Sequence, residues 1–201
     1  TKHFYVVRMG GYEIVFNHAL DDRLGAYIIL DILPTLGVNC DVLLTTGEES
    51  CNSTAQAFTT TKQYKWIFSF DRMGTDVVLY QYGGKTIEDI LEGLNNVVGM
   101  GSYSDICDLS DLGCVGINWG CGYWDNHGPK SHVILTDAEY MVNQFKAFYD
   151  IYKDTLFEWE DDGYGMGDDG SYGYIGYSRG WGQSGRHLSD LEWDDRNVSR
   201  T

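Results

Sequence analysis

Glu48 and Glu49 are the pair best suited to chemistry in this sequence. Adjacent side chains leave the backbone in different directions, so one carboxylate can hold a metal ion while the other faces a water at that ion. A hydrolase needs both roles. The metal lowers the pKa of the water, and a nearby carboxylate takes its proton and returns it to the leaving amine. The same two residues also suit a solvated acidic turn or a helix N-terminus, and paired glutamates are common. Three further segments offer groups of the right kind. Asp21-Asp22-Arg23 opens an apolar stretch. It reads either as helix N-terminal electrostatics with an Asp22–Arg23 surface pair, or as a metal-bridging Asp21 in a loop steadied by its neighbours. Asp71 closes the run Trp66-Ile67-Phe68-Ser69-Phe70, where a charge has little reason to sit, although a lone aspartate at a strand end is more often a turn former. His127 lies between Trp124-Asp125-Asn126 and Gly128-Pro129, where a surface-loop histidine is the default. Together these carboxylates and one imidazole make a ligand mixture suited to zinc, manganese or cobalt.

Such residues act together only if secondary structure brings them together. His3–Met9 and Tyr12–Asn17 flank Gly10-Gly11 and predict a hairpin. Leu20–Leu36 has helical spacing, with Asp21 and Asp22 at its start and Pro34 and Gly37 at its end. Cys40–Thr45 predicts a short buried strand, followed by Thr46–Ser50 and a small polar helix through Phe58. Tyr64–Phe70 and Thr75–Tyr82 predict strands, Thr86–Val98 a helix, and Ser104-Asp105 could open a short helix. Cys114–Asn118 and His132–Leu135 predict strands around the glycine-rich loop Gly120–Gly128. Thr136-Asp137-Ala138-Glu139 has capping-box spacing and opens a helix to about Lys153. Strands alternating with helices predict an α/β class: a mixed, mostly parallel sheet with helices on both faces. A sheet of that kind binds ligands beyond the C-terminal ends of its strands, which is where the four segments fall.

The chain has 201 residues and a formal net charge of −16, from 30 acidic and 14 basic residues. That balance argues against duplex DNA, RNA and anionic membranes as partners, since phosphate binding needs Lys and Arg. Hydrophobic content is 43%, ordinary for a soluble domain, and there is no apolar run long enough to span a bilayer. Five cysteines, odd in number and irregular in spacing, do not suggest a disulfide scaffold and favour a reducing compartment, so a cytoplasmic location is expected. Composition changes after Leu156. Residues 1–156 read as the catalytic domain, with upstream residues possibly missing before Thr1. Residues 157–201 read as an acidic Gly/Tyr/Trp-rich extension, in runs such as Gly167-Asp168-Asp169-Gly170.

In order and spacing the four segments resemble the superfamily of co-catalytic, dinuclear zinc aminopeptidases and carboxypeptidases. Within it they resemble the catalytic domains of tetrahedral aminopeptidases and peptidase T. Ala19-Leu20-Asp21-Asp22-Arg23-Leu24-Gly25 resembles its bridging-aspartate segment, and Thr45-Thr46-Gly47-Glu48-Glu49 its Thr-x-x-Glu-Glu segment. Asp71 matches the next ligand. Gly101-Ser102-Tyr103-Ser104-Asp105, with Gly120-Cys121-Gly122 and His127-Gly128, matches the region of the last. The resemblance spans roughly residues 12 to 154 and implies Asp21 as bridge, Glu48 as general base, and Glu49, Asp71 and His127 as metal ligands. The superfamily's first ligand stands in a His-x-Asp segment, and none precedes Asp21 here. That leaves His18 as a substitute, His3 as a poorer one, or a residue upstream of Thr1; a single-metal site and an inactive relative stay open. A second departure follows His127. Where the superfamily often has a Glu four residues on, this chain has Ser131 and then His132.

The resulting expectation is hydrolysis of a peptide amide bond, with an aminopeptidase foremost. An N-acyl amino acid deacylase or an inactive binding relative are the alternatives. One or two zinc ions are expected, with a peptide or small amide as substrate. The superfamily's habit of assembling adds further copies of the chain as partners.

Overall fold

Gly10 and Gly11 both take positive φ, 56° and 86°, in the two-residue turn that joins β1 (Tyr5–Met9) to β2 (Tyr12–Phe16). Glycine reaches that region without a steric penalty, and the turn's twist suits antiparallel neighbours. The two strands pair antiparallel from Tyr5↔Phe16 to Met9↔Tyr12, as the sequence predicts. The computed structural model describes residues 4–159 and the short strand Val198–Ser199. The expected C-terminal extension lies almost wholly outside the described residues.

The predicted helix after β2 forms as three joined pieces: α1 (Arg23–Tyr27), a wider π turn (Ile28–Ile32) and α2 (Leu33–Thr35). Then come β3 (Ile67–Arg72), β4 (Val77–Val78), α3 (Lys85–Gly93), β5 (Val98–Gly99), β6 (Gly116–Gly120), β7 (Tyr123–Trp124), β8 (His132–Ile134), α4 (Leu135–Tyr152) and β9 (Val198–Ser199). One sheet has the order β7-β8-β2-β1-β9 and is antiparallel throughout. The other has the order β3-β6-β4-β5; β3–β6 and β4–β5 are parallel and β4–β6 antiparallel. The class is α/β with a mixed sheet, as expected.

The core lies between the mixed sheet and α4. Phe145 sits at its centre, with ring contacts to Trp66, Phe68, Phe70 and Trp119 at centroid distances of 4.6–6.1 Å. On the side of α1 the packing is closer still. A Cβ added to Gly25 would lie 1.5 Å from the carbonyl oxygen of Phe70. Only glycine lets α1 rest directly on β3. That contact carries the start of α1 to the end of β3, and so brings Asp21 to Asp71.

Four expectations need correcting. Cys40–Thr45 forms no strand: residues 38–47 have no regular structure, and Val42, Leu43 and Leu44 are 44%, 42% and 67% exposed. The predicted strand Thr75–Tyr82 shrinks to Val77–Val78, followed by a tight helical turn. The helix predicted to Val98 ends at Gly93, because Asn95 turns to positive φ and Val98 joins the sheet. The capping box does not form, since α4 already begins at Leu135; Asp137 instead accepts a hydrogen bond from Trp124 Nε1 at 3.1 Å. No helix among the described residues is long and apolar enough to cross a membrane.

Candidate metal centre

Asp22 sits at the N-cap of α1 with a positive φ of 60°, and its side chain caps no backbone N–H. The carboxylates at this helix start are therefore not spent on the helix. Nor does Arg23 form an ion pair among the described residues, so the surface-pair reading of Asp22–Arg23 does not hold.

Glu48 and Glu49 stand in a single 3₁₀ turn, Glu48–Ser50, bracketed by two left-handed residues, Gly47 at φ 85° and Cys51 at φ 52°. The amides of Ser50 and Asn52 both donate to the Gly47 carbonyl, and that of Cys51 donates to Glu48. These bonds fix the turn without using either carboxylate. Asp71 lies inside β3, one residue further into the strand than predicted, at a register shift between Phe70 and Arg72. A bulge re-aims the residue it displaces. The Asp71 amide donates to Asn118 Oδ1 at 3.2 Å, and Asn118 Nδ2 donates to Tyr80 at 2.9 Å. Ser104, buried, donates to Asp71 Oδ2 at 3.2 Å. His127 and Asp125, in the loop after β7, both take positive φ, 55° and 54°. That conformation is uncommon outside glycine and clusters at functional sites.

These segments meet. His127 Nδ1 lies 3.2 Å from Asp21 Oδ2 and 3.5 Å from Glu49 Oε1. Ligand atoms held about 2.1 Å from a tetrahedral zinc lie roughly 3.4 Å from one another. Asp21, Glu49 and His127 each offer a ligand atom within 4.8 Å of the other two; Asp21, Asp22 and Asp71 form a second such group, and Asp22, Glu48 and Glu49 a third. Asp21, Asp22 and Glu49 each belong to two of them, and Asp21 is the one that joins the His127 group to the Asp71 group. Its side chain is 15% exposed, against 58% for His127 and 52% for Glu49, so it forms the floor of an open site. Asp21 Oδ2 is buried and accepts no hydrogen bond. Buried carboxylate oxygens are normally partnered, and a cation is the partner that this donor set fits.

The field at the site is strongly negative. Burial, then the charges of Glu49, Asp105, Asp22 and Asp21, pushes Glu48 up to about 7. Burial also raises Asp71, helped by its contact with Asp22 and by the surrounding carboxylates. Glu49 is raised by burial, against the pull of His127. The guanidinium next to Asp71 in the chain is already used: Arg72 makes a two-point contact with Asp76 at 3.0 and 2.9 Å.

Two residues without a sequence signal, Tyr123 and Asn118, and one with a signal, Asp105, also shape this site. Tyr123 donates to Asp21 Oδ1 at 2.6 Å and also reaches the Asp71 carbonyl oxygen at 3.1 Å. Burial, then the bond to Asp21, raises its phenol far above the ordinary range. Asn118 anchors the bulge. Asp105 accepts from the Thr45 hydroxyl and adds to the charge on Glu48; the Ser104-Asp105 motif was its signal. Conversely, His18 belongs to none of the ligand groups among the described residues. It is exposed, on a depression of about 340 Å³ that it shares with Arg23, Leu24 and Tyr27. The substitution of His18 for the first ligand is thus not realised in this arrangement.

No family model and no curated protein matches the chain in sequence. In structure, PhTET1-12s, described as a dodecamer, superposes with a TM-score of 0.53 at 17% identity. The match covers 73% of this chain and 53% of that one, so this chain spans about half the neighbour's length. At that identity the likeness is one of fold alone.

Proposed function

We propose that this chain hydrolyses peptide amide bonds in a metal-dependent reaction, with the N-terminal residue of a peptide as its foremost target. The observation that carries the reading is the convergence of Asp21 Oδ2, Glu49 Oε1 and His127 Nδ1, with Glu48 beside Glu49 and held near neutrality. Asp21, Glu49 and His127 would hold one ion, zinc by donor type, with manganese or cobalt as substitutes; Asp21, Asp71 and Asp22 offer a second position. A bound zinc supplies Lewis acidity, which activates water and polarises a carbonyl.

The chain's own residues do the rest. Glu48, in the same tight turn as Glu49, is placed to accept a proton from water and pass it to the leaving amine. The Asp21–Glu49–His127 trio orients the reacting oxygen. Ser104 and the Asn118 amide keep the Asp71 carboxylate turned to the same centre. The free amino group of a peptide is attracted by the surplus carboxylates, which favours an aminopeptidase over a deacylase acting on N-blocked substrates. A homo-oligomer is the assembly we propose, by analogy with the dodecameric neighbour.

A panel of aminoacyl anilides, free-amine dipeptides and N-acetylated amino acids, assayed with zinc and with chelator, tests this. Chelator-sensitive cleavage of the free-amine substrates is expected. Cleavage of the N-blocked ones alone would move the assignment to a deacylase, and zinc-saturated protein inert on all three would leave a binding role.

A further inference from the structure

The Tyr123 hydroxyl has one proton and two acceptors, Asp21 Oδ1 at 2.6 Å and the Asp71 carbonyl oxygen at 3.1 Å. Asp21 is the residue shared by the two cation positions, and its two oxygens are treated differently. Oδ2 accepts no hydrogen bond and lies 3.2 Å from His127 Nδ1, itself a ligand atom of the first position, whereas Oδ1 is engaged by the phenol. A cation at the Asp21–Glu49–His127 position meets a ready oxygen. The phenol that holds Oδ1 also reaches the Asp71 carbonyl, so a cation on the Asp71 side that draws on Oδ1 competes with the phenol, whose proton then has the Asp71 carbonyl to turn to.

We propose that Tyr123 is a positioning residue that sets the order of ion loading: the Asp21–Glu49–His127 position fills first, and the Asp21–Asp71 position only after the Tyr123 hydroxyl has released Asp21. This rests on the metal-centre reading above. The same hydroxyl then locks the doubly loaded form by bonding Asp71. Tyr123 is buried on β7, and the turns around it fix its ring. The Gly74 amide donates to the Tyr123 carbonyl at 2.8 Å, and the Gly122 amide donates to Gly74 at 2.9 Å.

The test is a zinc titration of the full chain by calorimetry and by competition with a chromophoric chelator, on wild type, Tyr123→Phe and Asp71→Asn. Wild type should bind one zinc tightly and a second more weakly. Removing a hydrogen bond to a carboxylate should tighten the second site by roughly 10- to 100-fold and leave the first nearly unchanged. Asp71→Asn, which keeps Tyr123, should lose the weak site alone. A Tyr123 that merely supports the fold would weaken both sites together in the Phe variant. That result, or an unchanged ratio of the two affinities, overturns the proposal while leaving the metal centre standing. Wild type that binds no zinc overturns both.

Discussion

Replacing Glu48 with Gln should abolish turnover and stabilise the metal-free protein at the same time. The two effects have one cause. Glu48 sits half-buried among Glu49, Asp105, Asp22 and Asp21, and its pKa rises from 4.5 to about 7. A carboxyl whose folded pKa is raised contributes stability below its unfolded value and loses it as pH climbs through the folded one. Above pH 7, therefore, the ionised Glu48 works against the fold. The shift of about 2.5 pH units has a ceiling of roughly 3 kcal/mol at 1.36 kcal/mol per unit. Solvent screening at the open mouth of the site reduces that to about 1 kcal/mol. In a chain of this size the gain corresponds to a melting temperature higher by roughly 2–4 °C. Differential scanning fluorimetry in chelator at pH 8 and at pH 4.5 reads it. The variant should melt above wild type at pH 8, with the gap closing at pH 4.5. Loss of the general base should lower kcat by about 10²- to 10⁴-fold on any substrate cleaved by wild type. A variant that melts lower at pH 8 would refute the strained carboxylate, and one that retains full turnover would refute its role as base.

Zinc at about 100 times its Kd should stabilise the chain by about 2.7 kcal/mol, a rise in melting temperature of roughly 5–11 °C, and Glu49→Ala should cancel most of that rise. Thermal melts with and without chelator check it. Gly25→Ala should destabilise by roughly 1–3 kcal/mol or more, because its Cβ would fall 1.5 Å from the Phe70 carbonyl; denaturant titration reads the loss. Wild-type protein in chelator should melt progressively lower as pH rises from 5 to 8, since Glu48, Glu49 and Asp71 are all raised, and zinc should flatten that slope.

The elements most readable from sequence were those whose pattern is local. Gly10-Gly11 between alternating strands, and Met141, Val142, Phe145 and Phe148 at helical spacing, specify a hairpin and a helix without help from the rest of the chain. Cys40–Thr45 has the composition of a strand, but a strand exists only where a neighbour offers hydrogen bonds in register. The mixed sheet has β3 at its edge, and this segment does not pair with it. The acidic segments of the site were legible because carboxylates ending apolar runs stand out. Tyr123 and Asn118 were not, because Asn118 reads as the last residue of a strand and Tyr123 as part of a glycine-rich loop. Their roles arise from the register shift at Asp71 and from the close seat of α1 on β3, both products of tertiary packing.

The most direct test of the central claim is a crystal structure of the protein grown with zinc, with anomalous data collected at the zinc edge. A peak is expected between Asp21 Oδ2, Glu49 Oε1 and His127 Nδ1, at about 2.0–2.2 Å from each. Zinc-saturated crystals without a peak there, or with the ion held elsewhere on the chain, would contradict it.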